Sequence, residues 1–297
     1  MSFIISITYV DFILMNRIIL FFVFCFTLLW PPVFGQNQKN ERKAFFPKEE
    51  IPFKDFPDQE NVWVFLMAGQ SNMAGRGWVE PRDTIPDARI ITINQNHEWI
   101  LAKEPLHFYQ PKLTGLDCGL SFARELKKKI PRDVVIVLLP CAVGGSPVDV
   151  WLNDSVFNGV RLKSNFKEKV NLGKEVGVIK GILWHQGESD AFAQKIPGYY
   201  KKLNTLFSFF RDYIGNDELT IVLGELGRFA ATKEMKKNWA AINDIIGQVA
   251  RENDRNYLVK SNGLKSKDDN IHFNANSIRK LGKRYAQVYL KCAIKLK

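Results

Sequence analysis

Five short, mostly apolar runs punctuate the chain, at positions 62–68, 134–139, 178–184, 220–224 and 257–260, and a weaker one lies at 89–93. Each is rich in aliphatic or aromatic residues, as expected of strands covered on both faces. Between the runs the apolar spacing changes to three and four. Leu120, Ala123, Leu126 and Ile130 form one such stripe, and Tyr199, Leu203, Leu206, Phe210 and Tyr213 a second. Trp239, Ile242, Ile246 and Val249 form a third, and Ile278, Leu281, Tyr285 and Val288 a fourth. Strands alternating with helices imply a parallel sheet with helices on both sides. The pattern therefore predicts an α/β domain, a three-layer α/β/α sandwich around a central, mostly parallel five-stranded sheet.

The N-terminus departs from this pattern. Residues 18–30 form an uncharged run of 13 preceded by Arg17, short of the roughly 20 apolar residues a bilayer-spanning helix needs. The run suits the apolar centre of a secretory signal, with Gly35 near a cleavage point. Residues 1–36 are thus read as a signal peptide, and Met15 offers an alternative start that would shorten it. An uncleaved membrane anchor is the competing reading of the same segment. Residues 37–60, polar and then marked by Pro47, Pro52 and Pro57, read as an extended lead-in to a single domain at 61–292. No membrane span is expected after cleavage, and the protein is expected to be secreted or periplasmic.

Composition narrows the function classes. The formal net charge is +11, which can indicate nucleic acid or an anionic surface. The lysines, as at 127–129, 201–202 and 236–237, are dispersed on predicted helix faces and not interleaved with aromatics. They read as solvated surface, with no nucleic acid as partner. Beyond the leader stand Cys118, Cys141 and Cys292, without a CxxC and far in sequence from His185 and His272. No zinc pattern is present and no metal or other cofactor is expected; three buried cysteines are expected instead.

In parallel sheets ligands bind at the carboxyl ends of the strands, and the informative loops fall there. Ser71 follows the first strand, Gly144-Gly145 the second main strand, and Gln186 the third. Ser71 needs a base to become a nucleophile. Of four histidines, His272 has two carboxylates just before it, in Asp268-Asp269-Asn270-Ile271-His272, in a loop just before the last helix. An aspartate three residues before the imidazole can hold one ring nitrogen while the other faces Ser71. His185, at a strand end, could line the same pocket. Met73 stands where a Gly-x-Ser-x-Gly elbow requires glycine, so the segment is not an α/β-hydrolase turn.

Four ordered blocks carry a family resemblance: Gly69-Gln70-Ser71-Asn72-Met73; Ala142-Val143-Gly144-Gly145-Ser146 with Trp151; Trp184-His185-Gln186-Gly187-Glu188-Ser189-Asp190; and Asp269-Asn270-Ile271-His272. Together they resemble the SGNH hydrolase superfamily, and within it the sialate O-acetylesterase and acetylxylan esterase group, carbohydrate esterase family six. The resemblance implies an SGNH, flavodoxin-like sheet and a catalytic set of Ser71, His272 and Asp269. It also implies an oxyanion site from the N–H groups of Ser71 and Gly145 and the side-chain amide of Gln186, where many SGNH enzymes carry asparagine. Asn72 and Trp151 are expected to shape the pocket. Glu188 is expected to support it, either orienting His272 or holding the loop, and Asp190 to cap the following turn. The implied substrate is an acetylated carbohydrate. Rival readings are a non-catalytic carbohydrate-binding protein and an SGNH thioesterase or lipase. The long stretch 76–117, with Trp78, His97, Trp99 and Tyr109, offers either a rim for sugars or ordinary packing.

Overall fold

Alternation along the first strand, β1 (Val62–Gly69), sets the layers. Val62, Val64, Leu66 and Ala68 enter one apolar cluster, and Phe65 and Met67 enter another on the opposite face, the two-residue period of a pleated strand. In this computed structural model residues 42–292 are described; the segment read as a leader lies outside them. The remaining strands of the main sheet are β2 (Ile90–Ile93), β3 (Trp99–Leu101), β4 (Val135–Pro140), β7 (Val178–His185), β8 (Ile221–Gly224) and β9 (Asn256–Val259). Two short strands, β5 (Val156–Phe157) and β6 (Val160–Arg161), form a separate hairpin.

The sheet order is β3-β2-β4-β1-β7-β8-β9. Every pairing is parallel except β2 with β3. The three-layer, mostly parallel architecture agrees with expectation; the strand number is seven and not five. The weak run at 89–93 is a genuine strand. The seventh, β3, is three half-buried residues at an edge, too short to show a period. The described part of the lead-in covers that edge, with Phe53 N–H donating to the Trp99 carbonyl and Leu101 N–H to the Ile51 carbonyl, at 2.8 and 2.9 Å. Covering an edge in this way removes a template for unwanted pairing.

Among the described residues the α-helices are α1 (Ser71–Ala74), α2 (Gly119–Leu126), α3 (Val148–Asn153), α4 (Leu162–Val176), α5 (Ile196–Ile214), α6 (Lys233–Arg251) and α7 (Ala275–Cys292). Phe166 and Val170 of α4, Leu203 and Phe210 of α5, and Ile242 and Ile246 of α6 pack on the Val64 face. Leu120 and Ala123 of α2, with Ile278, Leu281 and Tyr285 of α7, pack on the Phe65 face. The four expected stripes are therefore the buried faces of α2, α5, α6 and α7, although Ile130 lies beyond the end of α2. Helix α4 was not expected from the spacing, because Asn165 and the fully buried Lys169 interrupt its apolar stripe. Lys169 is satisfied by His97 Nε2 at 2.8 Å and Glu168 Oε2 at 2.9 Å. Cys118 and Cys141 are buried free thiols.

Candidate active site

Strand β1 must end where its neighbour β7 still runs alongside, and a side chain at Gly69 would collide there. Its backbone has φ +136°, and a Cβ would lie 2.1 Å from the His185 carbonyl oxygen. Glycine is thus required for the turn. The chain then enters α1 with Ser71 as its first residue, 6 % exposed. On the far side, the loop after β9 carries Asp269, Asn270 in the left-handed region at φ 53°, and His272. Ser71 Oγ and His272 Nε2 stand 2.9 Å apart. His272 Nδ1 lies 2.8 Å from Asp269 Oδ2. The other carboxylate oxygen of Asp269 accepts the backbone N–H groups of Ile271 and His272, both at 2.9 Å.

These contacts set the protonation states. Burial would raise the Asp269 carboxyl, but the His272 N–H, the His272 ring and the Ile271 N–H outweigh it and hold it at about 2. Burial lowers His272 below the usual imidazole value, with Asp269 opposing the shift and the Arg76 and Lys267 charges assisting it. A neutral imidazole braced by a carboxylate and touching a hydroxyl can act as a general base. Asp268 makes no contact with the ring; its carbonyl accepts from Asn270.

Asn72 performs a task the sequence did not disclose. It is 2 % exposed and absent from the cleft wall. Its Oδ1 accepts the Phe273 N–H at 3.1 Å, and its Nδ2 donates to the Ile271 carbonyl at 3.2 Å. The backbone on both sides of His272 is thereby tied to the residue beside Ser71. The same Nδ2 donates to Glu188 Oε1 at 2.6 Å. The expectation that Asn72 lines the pocket is corrected. Glu188 does line the cleft, but it has no hydrogen bond to His272 and acts on the loop through Asn72. Its second carboxyl oxygen is buried without a partner, and burial raises the carboxyl to about 7.

The expected place of Gln186 is also corrected. Its side chain is fully buried and does not line the cleft. Its Nε2 donates to Asp190 Oδ2 at 2.6 Å and lies 3.2 Å from the Ser146 carbonyl, while its Oε1 accepts from Tyr199 at 2.9 Å. It braces the loops after β4 and β7. Asp190 serves the same bracing: besides Gln186 it accepts the Val148 N–H at the start of α3, at 2.9 Å, and does not cap the turn after itself. The glutamine that lines the cleft is Gln70, itself 2 % exposed. Its Oε1 accepts the Ser189 N–H at 3.2 Å, while its Nε2 takes no partner among the described residues and is not among the buried unpaired atoms. The N–H groups of Ser71 and Gly145 likewise enter no hydrogen bond among the described residues. Gly145, at φ +80°, lies on the cleft wall. Trp151 is core, its indole N–H donating to Ser146 Oγ at 3.2 Å.

The cleft has a volume of about 670 Å³. Besides the residues named, Arg76, Gln110, Leu113, Phe157, Phe192, Lys195, Met235 and Trp239 line it. The stretch 76–117 contributes Arg76, Gln110 and Leu113, whereas Trp78, His97, Trp99 and Tyr109 lie off the wall. Tyr109 is held by the Pro140 carbonyl and Asn165. A second groove of equal volume runs along β9 and α7, lined by Lys260, Arg284 and Lys291; it holds no serine or histidine. His107 and Asp117 form another buried pair at 2.9 Å, away from the cleft. His185 is fully buried, and its burial lowers it to about 3. Among the described residues no three His, Cys, Asp or Glu side chains gather as metal ligands, and no helix is long and apolar enough to cross a membrane.

Comparison with known proteins places this geometry in a family context. Residues 61–291 match the family described as carbohydrate esterase, sialic acid-specific acetylesterase. A probable carbohydrate esterase of Arabidopsis thaliana is 29 % identical over 271 residues, covering 84 % of this chain and 98 % of the relative. The X-ray structure of a protein from Arabidopsis thaliana superposes with a TM-score of 0.68 at 27 % identity, over 80 % of this chain and all of that one. A carbohydrate acetylesterase from Xanthomonas citri shares the fold, with a TM-score of 0.58 and 16 % identity over 78 % of this chain and 56 % of that chain.

Proposed function

The chain belongs to the carbohydrate esterase family of sialic acid-specific acetylesterases, and on that premise we propose that it is a serine esterase removing O-acetyl groups from sugars. The observation that carries this reading is the unbroken line from Asp269 through His272 to Ser71, with steps of 2.8 and 2.9 Å. His272 takes the Ser71 proton as Ser71 Oγ attacks the acetyl carbonyl. Protonated His272, stabilised by Asp269, then gives that proton to the departing sugar hydroxyl. Water activated by the same imidazole hydrolyses the acetyl-serine, and Ser71 leaves with its proton restored.

The negative charge on the carbonyl oxygen is met by the N–H groups of Ser71 and Gly145 and by the Gln70 amide. Each such donor contributes about 3–4 kcal/mol to the transition state in sites of this kind. Gln70 takes the role first expected of Gln186, since its amide is the one left open toward the cleft. Candidate substrates are O-acetylated sialic acid and acetylated xylan. Acetate release is measured from a small aryl acetate and from a panel of acetylated glycans. Ser71→Ala should abolish release in both while the melting temperature is kept; undiminished turnover by that variant would refute the assignment. Binding of glycans without any acetate release would favour a carbohydrate-binding protein instead.

A further inference from the structure

The Gly145 N–H sits in a turn that has two ways to fold. Ser146 N–H donates to the Val143 carbonyl at 3.3 Å, closing a four-residue turn with Gly144 and Gly145 at its centre. Gly145 has φ +80°, the value at the third position of a type II turn. A type I turn keeps the same closing bond and differs by rotation of the central peptide. That peptide joins the Gly144 carbonyl to the Gly145 N–H, so the rotation would turn the N–H away from the cleft and bring the carbonyl in its place. Glycine takes positive and negative φ about equally, so neither central residue selects the productive form. Gly144 cannot be given a side chain to help, because a Cβ there would lie 1.9 Å from Arg76 Nη2.

The selection comes from the carbonyl end of the peptide. Asn158 Nδ2 donates to the Gly144 carbonyl at 3.1 Å. Gly144 is buried, so its carbonyl depends on protein donors. Gln110 Nε2 is 3.4 Å from the same oxygen, beyond the usual range of about 2.7–3.2 Å. Gln110 Oε1 is committed elsewhere, accepting the Gly144 N–H at 3.0 Å and Arg76 Nη2 at 2.5 Å. Arg76 is 7 % exposed, and its other partner is the neutral Gly75 carbonyl at 2.7 Å. Asn158 is delivered by the β5–β6 hairpin, which stands apart from the main sheet. Asn158 and Gly159 have φ 49° and 80°, as a type I′ hairpin turn requires. The preceding residue, Phe157, lines the cleft, with its Cζ 3.8 Å from where a Gly145 Cβ would lie. The hairpin therefore meets the turn at two points.

We propose that Asn158 is a positioning residue for the reaction: by holding the Gly144 carbonyl, it keeps the central peptide of this turn in the orientation that aims the Gly145 N–H at the oxyanion. A hydrogen bond at the carbonyl end also polarises the N–H end of the same peptide, which strengthens it as a donor. The proposal rests on the esterase reading above and adds to it a residue that is not on the cleft wall.

The test compares para-nitrophenyl acetate with its thionoester, in which sulfur replaces the carbonyl oxygen and accepts hydrogen bonds poorly. Donors at the oxyanion speed the oxygen ester more than the sulfur ester. The ratio of the two kcat/KM values therefore reports the oxyanion site and not the position of His272. Asn158→Gly keeps the left-handed turn and removes the amide. It should lower kcat for the acetate by about 10- to 100-fold, approaching the loss of one oxyanion donor. KM should change less than about threefold, and the ratio should fall at least about fivefold. Asn158→Asp keeps the shape of the side chain but presents only acceptors at neutral pH, and should be at least as slow. The ratio is internal to each protein, so a reduced folded fraction does not enter it, and either variant decides if the other fails to fold. A kcat for Asn158→Gly within about threefold of the parent would show that Gln110 suffices and overturn the role of Asn158. An equal fall for both esters would overturn it too, as the mark of a merely structural effect. In both cases Ser71-dependent cleavage by the parent leaves the esterase reading standing. Should the parent cleave neither ester, that reading fails and the proposal falls with it.

Discussion

Replacing Asn72 with alanine isolates the loop clamp from the chemistry, because Asn72 is tied to the backbone on both sides of His272 without lining the cleft. The substitution deletes three hydrogen bonds at 3.1, 3.2 and 2.6 Å. Phe273 is 1 % exposed, so its N–H loses its acceptor with little access to water, a cost of about 1–3 kcal/mol. The Ile271 carbonyl belongs to an exposed residue and can rehydrate. Net destabilisation should therefore be about 1–3 kcal/mol, leaving a folded protein. The larger effect falls on rate. His272 Nε2 is held 2.9 Å from Ser71 Oγ, and a displacement of about 1 Å costs on the order of 100-fold. Steady-state kinetics on an aryl acetate should show kcat falling by about that factor with KM changed less than about threefold. Asn72→Asp should be worse at high pH, since the carboxylate it introduces meets that of Glu188 once the latter ionises above about 7. A kcat for Asn72→Ala within about threefold of the parent, at reduced stability, would show that the clamp stabilises the loop without positioning the imidazole.

Two further outcomes follow from the same geometry. His272 must be neutral to act as base and its ionisation is shifted downward, so kcat/KM should rise with pH to a plateau with its midpoint below the usual imidazole value near 6.5. Asp269→Asn removes the carboxylate that opposes the shift, so the midpoint should move lower still and the plateau fall by up to about 10⁴-fold; a midpoint that moves upward contradicts this. Glu188 is raised to about 7 by burial, so its contribution to stability is whole below the unfolded glutamate value and is lost as pH rises through about 7. Glu188→Gln keeps an acceptor for Asn72 and removes that ionisation, so its melting temperature relative to the parent should climb between about pH 5 and about pH 8; a constant difference argues against a titrating Glu188.

What the sequence made legible was what it stores locally. The end of β1 is announced by an apolar run stopping at Gly69, and Asp269 with His272 share one loop, so the hydroxyl and the imidazole with its carboxylate could be named from the strand end, the spacing and the four-block resemblance together; spacing alone also offers Glu104 with His107. The sheet plan was legible for the same reason, since each strand and each of four helix stripes carries its own period. The misreadings arose where one residue's meaning is set by another far along the chain. Helix α4 was hidden because its apolar stripe contains Lys169, whose burial is made tolerable by the Glu168 carboxylate beside it and by His97 from far along the chain. The two glutamines are the sharper case. Gly69 and His185 pair in register between β1 and β7, so Gln70 and Gln186 emerge side by side at the same sheet edge with the same functional group. Asp190 and Tyr199 take hold of Gln186, while Gln70 keeps one amide nitrogen open. Nothing in either local sequence separates them, because the asymmetry lies in the partners. Arg76 belongs to the same class. As a loop arginine five residues past Ser71 it carries no local mark, and it becomes a buried, uncompensated charge only once Gly144 and Gln110 are brought against it. The hydroxyl, the imidazole and its carboxylate are therefore written in short motifs, whereas the open amide and the guanidinium on the same cleft exist only as relations between loops that the sheet brings together.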